Sequence, residues 1–155
     1  YTATYTATYT AADFVFSITG TESNDALVGT NEGEYISGLG GSDDLKANGG
    51  NDTVDGGAHN DTIWGGDGDD ILTGGTGADI FVFAAGHGDD TVEDFSVADD
   101  ELRLTSTSTD FTSAADVTAA SSEENGGLLI DLGGGDSLFL AGLSLSDISS
   151  MSLVL

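Results

Sequence analysis

The sequence predicts an all-β solenoid, in which short repeated units coil around a single core. Three observations lead to this prediction. A period of nine residues runs from Gly20 to Val82 and gives seven consecutive units. The eighth residue of every unit is apolar, and the sixth is acidic. The opening places are rich in glycine, and a fixed period of this kind is typical of proteins that stack one structural unit per repeat.

The composition excludes several classes of function. The chain has 155 residues, of which 28 are acidic and 2 are basic, so its formal net charge is −26. Binding to nucleic acid or to an anionic membrane surface needs Lys and Arg, which are nearly absent. Because 38% of residues are nevertheless hydrophobic, we expect a fold that forms once cations neutralise the carboxylates. An acidic surface adapted to high salt is the alternative.

Neither a membrane segment nor a disulfide framework is predicted. The chain contains no Cys, and no apolar run approaches the roughly 18 residues of a membrane-spanning helix. We therefore expect no membrane insertion. The first residue is Tyr rather than Met, and we expect the chain to be part of a longer protein.

Residues 1–19 precede the repeats and predict a lead-in strand. The run YTATYTATYT alternates Tyr or Ala with Thr, which is the period of a β-strand. An edge strand or the tail of a preceding domain is the favoured interpretation. A threonine ladder that orders water for ice binding is the alternative, for which one strand is too small a face.

Each unit predicts a turn followed by a short strand. In GGDGDDILT (65–73), Gly65, Gly66 and Gly68 permit positive φ and let carbonyl groups point inward. Asp70 adds a carboxylate, and Leu72 points into the core because strand side chains alternate. The predicted core column consists of the eighth residues, Leu27, Ile36, Leu45, Val54, Ile63, Leu72 and Phe81.

The acidic column predicts a site for a hard cation. Ca²⁺ takes 6–8 oxygen ligands from carboxylates and carbonyls, and these turns offer both. Catalysis is disfavoured, because acid–base chemistry needs two differentiated groups rather than a column of equivalent ones. An acidic turn without metal is disfavoured by repulsion between stacked like charges. The sixth residues are Asp25, Glu34, Asp43, Asp52, Asp61, Asp70 and Asp79, and a unit two residues out of phase (85–93) adds Asp90.

The units follow G-G-x-G-x-D-x-U-x and resemble the RTX (repeat-in-toxin, or hemolysin-type calcium-binding) nonapeptide-repeat family. The fit is best in units five to seven and worst in the first two. The resemblance implies a right-handed parallel β-roll with a β-rich C-terminal cap. It divides the chain into a lead-in (1–19), the roll (20–92) and a capping region with a secretion signal (93–155).

The resemblance also implies the ligands. Two units make one coil in the family, so ions would lie between Asp43 and Asp61, Asp61 and Asp79, Asp52 and Asp70, and Asp70 and Asp90. The sites of Asp25 and Glu34 are weaker, because their units depart from the pattern, and four to six Ca²⁺ ions are expected in all. The backbone carbonyl ligands would belong to Gly38, Gly40, Gly57 and His59, to Gly56, Ala58, Gly75 and Gly77, and to Ala47, Gly49, Gly66 and Gly68.

The two histidines do not indicate a catalytic site. His59 occupies a place where the family prefers Gly, so we expect strain there, and we expect His87 to be exposed. Neither has a Ser or Cys partner, and we predict that the chain is not an enzyme.

The C-terminal region predicts a cap. Residues 128–140 predict a hairpin, and Phe81, Phe83, Phe95 and Phe139 are expected to cover the last coil. Trp64 is expected to face outward, where a place beneath the lead-in strand is favoured and a contact for a partner is the alternative. The ending SLSDISSMSLVL resembles the uncleaved signals of type I secreted RTX proteins, and a last core strand is the alternative.

The resemblance implies a secreted bacterial module, extracellular or on the cell surface, that folds on Ca²⁺ binding after passing the type I secretion machinery. It would serve export, folding and stability of an N-terminal parent domain. Two alternatives stay open. One is a module of a surface adhesin or S-layer-type protein. The other is a non-catalytic module of a secreted polysaccharide-modifying enzyme, lipase or protease, with a surface or polysaccharide ligand.

Overall fold

The computed structural model describes residues 4–10, 13–105 and 107–155 and shows short strands throughout. They are β1 (Thr4–Thr10), β2 (Asp13–Thr19), β3 (Ala26–Val28), β4 (Glu34–Ser37), β5 (Asp44–Gly49), β6 (Thr53–Ala58), β7 (Thr62–Asp67), β8 (Ile71–Thr76), β9 (Ile80–Phe83), β10 (Asp89–Val92), β11 (Glu101–Leu104), β12 (Ser121–Glu124), β13 (Gly127–Gly133), β14 (Asp136–Ala141) and β15 (Ser152–Val154). Helix α1 (Ala114–Ala119) and a 3₁₀ helix (Leu145–Ser150) complete the elements.

Successive repeat strands alternate between two sheets. One sheet has the order β1-β2-β4-β6-β8-β10-β14-β13-β12, and the other has β15-β11-β9-β7-β5-β3. Neighbouring repeat strands are parallel and eighteen residues apart, as in the pairs Leu45–Ile63 and Val54–Leu72. Two units therefore make one coil, and the predicted all-β parallel roll is confirmed.

The core column is confirmed at every position. All seven predicted side chains are at most 1% exposed, and they stack coil upon coil. Burying an aliphatic or aromatic side chain of this size stabilises a fold by roughly 1.5–3 kcal/mol. Because each strand is short, one apolar residue per unit is enough to face the interior.

The lead-in contains two strands rather than one. β1 and β2 pair antiparallel along their whole length. β2 then joins the roll in parallel with β4, where Ile18 lies beside Ile36 in the core. Residues 1–3 and 11–12 of the lead-in lie outside the described residues. An alternating pattern looks the same whether it belongs to one strand or to two successive strands. Alternation alone therefore does not show where a turn separates them.

The C-terminal region closes the roll. The predicted hairpin is confirmed as β13 and β14, and β14 extends the first sheet in parallel with β10. β15 pairs in parallel with β11, and Ile148 and Met151 are buried, so the chain ending contributes to the core. Helix α1 was not predicted; Ser113 caps it by accepting from the Asp116 amide. Among the described residues, no helix is long and apolar enough to cross a membrane.

Two expectations about aromatic residues are wrong. Phe81, Phe83 and Phe95 are buried as expected, but Phe139 is half-buried and lies on the outer side of β14, over Gly127. Trp64 does face outward, but β1 belongs to the other sheet and does not cover it. The Lys46 ammonium lies over its ring instead, 4.4 Å from the centroid.

Candidate metal centre

The sixth-place carboxylates form two buried columns, one on each edge of the roll. We call Asp25, Asp43, Asp61 and Asp79 the first column, and Glu34, Asp52, Asp70 and Asp90 the second. Their exposure ranges from 1% for Asp61, Asp70 and Asp79 to 8% for Asp25. So many buried acidic groups in contact require compensating partners.

From Asp43 to Asp90, one oxygen of each column aspartate joins adjacent coils. The Asp43 amide donates to Oδ1 of Asp61 at 2.8 Å, and the Asp52 amide donates to Oδ1 of Asp70 at 2.8 Å. The same bond recurs from Asp70 to Asp90 at 3.0 Å. The structure therefore stacks the pairs that the eighteen-residue spacing predicted.

The other carboxylate oxygen has no partner in most of these residues. Oδ2 is buried without a hydrogen bond in Asp43, Asp52, Asp61, Asp70 and Asp90. An ionised group without compensation in the interior is strongly unfavourable. Five such oxygens, repeated along two columns, indicate that a positive ion completes the turns.

A first-place glycine leaves the space that such an ion needs. A Cβ on Gly56 would lie 2.6 Å from Oδ2 of Asp61 and 2.6 Å from the carbonyl oxygen of Gly74 in the next coil. No side chain fits at this position, which we call the glycine cradle, because the carboxylate oxygen and the carbonyl oxygen of the next coil both lie close to it. The two oxygens therefore belong to one turn and to the turn one coil later.

The turns that carry these oxygens share an unusual backbone. Their second and fourth residues have positive φ, a region that favours glycine. Such a backbone turns successive carbonyl groups toward one side of the loop. His59 is held at φ 78°, so the strain expected there is confirmed. The second-place residues are Leu39, Asn48, Gly57, Gly66, Gly75 and Gly86, and the fourth-place residues are Gly41, Gly50, His59, Gly68, Gly77 and Gly88.

The predicted carbonyl donors occupy these same turns. The first-place Gly38 and Gly56 lie against the carboxylates and against the next coil. The third-place Gly40 and Ala58 pair directly across coils. Among the described residues, no three His, Cys, Asp or Glu side chains converge on one point. An all-oxygen donor set suits a hard cation such as Ca²⁺.

Burial raises the pKa of six column carboxyl groups, those of Asp43, Asp52, Asp61, Asp70, Asp79 and Asp90. Desolvation is the main cause for Asp52 and Asp61, whose pKa values rise to about 7, and neighbouring carboxylates of their columns add to it. Desolvation raises the pKa of Asp90 to about 8, and Asp70 and Asp69 contribute further. Hydrogen bonds from backbone amides oppose these shifts. Burial and the neighbouring charges thus disfavour the ionised form of these carboxyl groups. A bound cation would favour the ionised form again.

The first acidic residue of each column has a different environment. Oδ2 of Asp25 accepts from the Thr21 amide at 2.6 Å and from its hydroxyl at 2.8 Å. Oε2 of Glu34 accepts from the Thr30 amide at 3.0 Å, and Oε1 accepts from the Thr30 hydroxyl. These two carboxylates lie in the columns but have partners within their own turns.

Sequence reasoning missed acidic residues beyond the repeats. Asp100 continues the first column, since its Oδ1 accepts from the Asp79 amide at 2.9 Å. Asp100 was predictable from the sequence, because it stands two residues before the apolar Leu102 in β11, as the sixth-place acid does before the eighth-place residue of each unit. Asp136 was not predictable, since it reaches the Gly86 amide at 2.7 Å from the distant hairpin.

The expectation that His87 is exposed is wrong. The side chain is buried, and its Nε2 accepts from the Ala84 amide. Nδ1 lies 3.6 Å from Oδ2 of Asp90. Because Nε2 accepts a hydrogen bond, the neutral ring carries its proton on Nδ1, and this nitrogen is not a metal ligand. Burial lowers the pKa of His87.

Stacked carboxylates, glycine turns and an apolar column define a parallel β-roll of the cation-binding class. Residues 28–58, 47–81 and 55–92 match the family model of the RTX calcium-binding nonapeptide repeat, which is found in four copies. This part of the chain is an RTX calcium-binding repeat array. The comparison with curated proteins gives no match.

The solved structures that resemble the chain include an extracellular lipase and a subunit of an epimerase. The extracellular lipase LipA from Serratia marcescens is 26% identical over 90% of this chain, with a TM-score of 0.60. The chain spans 20% of that lipase, so the likeness concerns one module of it. The AlgE6R3 subunit of the Azotobacter vinelandii mannuronan C5-epimerase is 27% identical over 87% of this chain and 80% of its own, with a TM-score of 0.39.

Proposed function

We propose that this chain is a calcium-dependent folding module of a larger secreted protein. The observation that carries the proposal is the set of five buried carboxylate oxygens without a hydrogen bond, three of which (in Asp43, Asp61 and Asp70) lie beside a first-place glycine. Bound Ca²⁺ would supply the positive charge that these oxygens lack. The proposed ligands are the carboxylates of Asp43, Asp52, Asp61, Asp70, Asp79 and Asp90, with carbonyls of the first to fourth places of the turns.

The folded form depends on the ions because the ligands come from different coils. Asp61 and Gly74 approach one another only when two coils stack, so an unfolded chain has no assembled site. A ligand that binds the folded state alone stabilises it by RT ln(1 + [L]/Kd) for each site. Metal binding and folding are then a single process, as in other small metal-dependent domains.

The charge of the chain supports a role in export. At a net charge of −26, the metal-free chain repels itself and resists compaction. An extended chain suits passage through the type I secretion machinery, and calcium outside the cell would then drive folding. Its ending SLSDISSMSLVL would serve as the signal, in addition to its place in the core.

The parent protein is proposed from the comparison with the lipase. The roll aligns with one fifth of that extracellular enzyme, which supports a module that is joined to a further domain. No catalytic role is proposed for the roll itself, because its acidic groups are alike and each faces backbone rather than a nucleophile.

Far-UV circular dichroism of the metal-free chain, titrated with Ca²⁺ and separately with Mg²⁺, tests the proposal. We expect a cooperative gain of β signal with Ca²⁺ only, because Mg²⁺ demands a tighter octahedral shell and releases its water reluctantly. A chain that is already folded in EDTA would contradict the proposal.

A further inference from the structure

The second residue of each turn divides the turns into two kinds. Six turns have a second residue with positive φ, including Leu39 and Asn48, which are not glycine. Thr21 and Thr30 hold the same place in the first two units but do not have positive φ. A β-branched residue disfavours that region strongly, so the residue type selects the form of the turn. We call the first kind open turns and the second kind closed turns.

Closed turns satisfy their own carboxylate. The amide and the hydroxyl of Thr21 both donate to Oδ2 of Asp25, at 2.6 and 2.8 Å. The Thr30 amide donates to Oε2 of Glu34 at 3.0 Å, and the Thr30 hydroxyl donates to Oε1. In the open turns, Oδ2 of Asp43, Asp52 and Asp61 is buried without any hydrogen bond. The two kinds therefore differ in whether a donor is already present.

The same cradle exists in both kinds of turn, which makes the comparison direct. A Cβ on Gly20 would lie 2.9 Å from Oδ2 of Asp25 and 2.8 Å from the carbonyl of Gly38, as for Gly56, Asp61 and Gly74 in an open turn. Each carboxylate thus faces the gap toward the next coil. In the gap between Asp25 and Asp43, the donors of Thr21 take the place that a cation would fill.

A closed turn recurs after the open ones. The Ser96 amide donates to Oδ2 of Asp100 at 2.8 Å, whereas the Ser96 hydroxyl donates to Asp99 at 3.0 Å, so here the amide alone satisfies the column carboxylate. Asp100 still accepts from the Asp79 amide through Oδ1, so it continues the first column. Hydroxyl residues at the second place thus occur at both ends of the column.

We infer that Thr21 and Thr30 are the specificity-determining residues that exclude calcium from the first two gaps, so that ion binding begins at Asp43 and Asp52. The inference rests on the proposed function, because it assigns occupancy among the proposed sites. Open turns take an ion, and closed turns replace it with an amide and a hydroxyl. The first coil then needs no cation to satisfy its acidic groups.

Calcium stoichiometry of the whole chain, measured by equilibrium dialysis with isothermal titration, tests this inference. Asp25→Asn and Glu34→Gln are expected to bind as many ions as the unmodified chain. The matched change Asp43→Asn is expected to bind at least one ion fewer. Circular dichroism in saturating Ca²⁺ verifies that each variant is folded.

A second pair of variants separates backbone conformation from the hydroxyl. Thr21→Val keeps a β-branched residue and the donating amide, so the count should not change. Thr21→Gly combined with Ser23→Gly allows positive φ at the second and fourth places and should add one ion. If this double variant does not fold, the comparison of Asp25→Asn with Asp43→Asn still decides the question.

The outcomes separate the two proposals. Loss of an ion in Asp25→Asn equal to that in Asp43→Asn would overturn the inference while leaving the calcium module intact. An unchanged count in a folded Thr21→Gly, Ser23→Gly variant would overturn it as well. If the unmodified chain binds no calcium, the proposed function fails and the inference fails with it.

Discussion

In the five column aspartates whose Oδ2 has no hydrogen bond, the two carboxylate oxygens have separate roles. Oδ1 of Asp61 holds the amide of the preceding coil, whereas Oδ2 faces a glycine cradle without a partner. The first contact is part of the fold and is present without metal. The second has no compensation from the protein, so it is the atom at which calcium dependence arises.

Asp61→Asn should therefore weaken calcium binding, whereas the stacking of the coils should be kept. The amide can keep Oδ1 as an acceptor for the Asp43 amide but loses the charge at the cradle. We expect a lower calcium stoichiometry and a several-fold higher Ca²⁺ midpoint by circular dichroism. Asp110→Asn removes the same charge at an exposed position outside the columns and serves as the control. Equal effects in both variants would indicate that only net charge matters.

The raised pKa values predict how the metal-free chain responds to pH. Asp52 and Asp61 titrate near pH 7 and Asp90 near pH 8 when folded, against 3.8 as the ordinary value. The folded state binds these protons more tightly than the unfolded state does. Their contribution to stability is therefore fully present below pH 3.8 and is lost as the pH rises through about 7 to 8.

In calcium-free buffer, we expect more β signal at pH 5 than at pH 8. Saturating Ca²⁺ should reverse this trend, because the cation and the protons compete for the same oxygens. Circular dichroism at both pH values, with and without Ca²⁺, measures the effect. A metal-free chain that gains β structure as the pH rises would contradict the assignment of these buried groups.

At the scale of the element, each nine-residue unit joins a site-forming turn to a core-forming strand. The strand fixes the register through one buried side chain, such as Ile63 or Leu72. That register places each turn directly over the turn one coil earlier. The hydrophobic column therefore determines where the carboxylates meet, and the site cannot form without the strands.

Gly56→Ala should disrupt a site while leaving the strands in place. The added methyl group would stand 2.6 Å from both Asp61 Oδ2 and the Gly74 carbonyl, neither of which can move far in a stacked turn. We expect weaker calcium binding and a lower thermal unfolding temperature in saturating Ca²⁺.

Gly49→Ala is the matched control for that change. A Cβ at Gly49 would meet its nearest neighbours at 3.6 Å, which is ordinary van der Waals contact. This variant should unfold at nearly the same temperature as the unmodified chain. Equal losses in both variants would indicate that the cradle at Gly56 has no special role.

At the scale of the whole molecule, the question is which cations stabilise the roll. A chain adapted to salt would respond to screening of its surface charge. Here the charges that matter are buried in columns, where mobile ions screen poorly. Lys46 and Arg103 pair with the nearby Asp44 and Glu101, so the two basic residues of the chain do not neutralise the columns.

We therefore expect that about 1 M NaCl, at which the screening length falls to roughly 3 Å, will not replace millimolar Ca²⁺. Circular dichroism compares the β signal of the metal-free chain in NaCl with the β signal reached in a calcium titration at low salt. Full folding in NaCl alone would favour the salt-adapted alternative over the calcium module.

The sequence by itself determined the roll, its core column and the two carboxylate columns. Each of these depends on a residue type at a fixed place, such as Leu72 at the eighth and Asp70 at the sixth, and stacking identical units preserves that pattern. The strain at His59 was predictable for the same reason, because its place in the turn requires positive φ.

The tertiary structure alone decided which carboxylates lack partners and how the ends are closed. Asp25 and Asp61 occupy equivalent places, yet only the coordinates show that Thr21 donates to the first while the second has an unpaired oxygen. His87 is buried, and Asp136 reaches Gly86 from fifty residues away. These contacts depend on the backbone path of single turns and on long-range packing, which a nine-residue period does not encode.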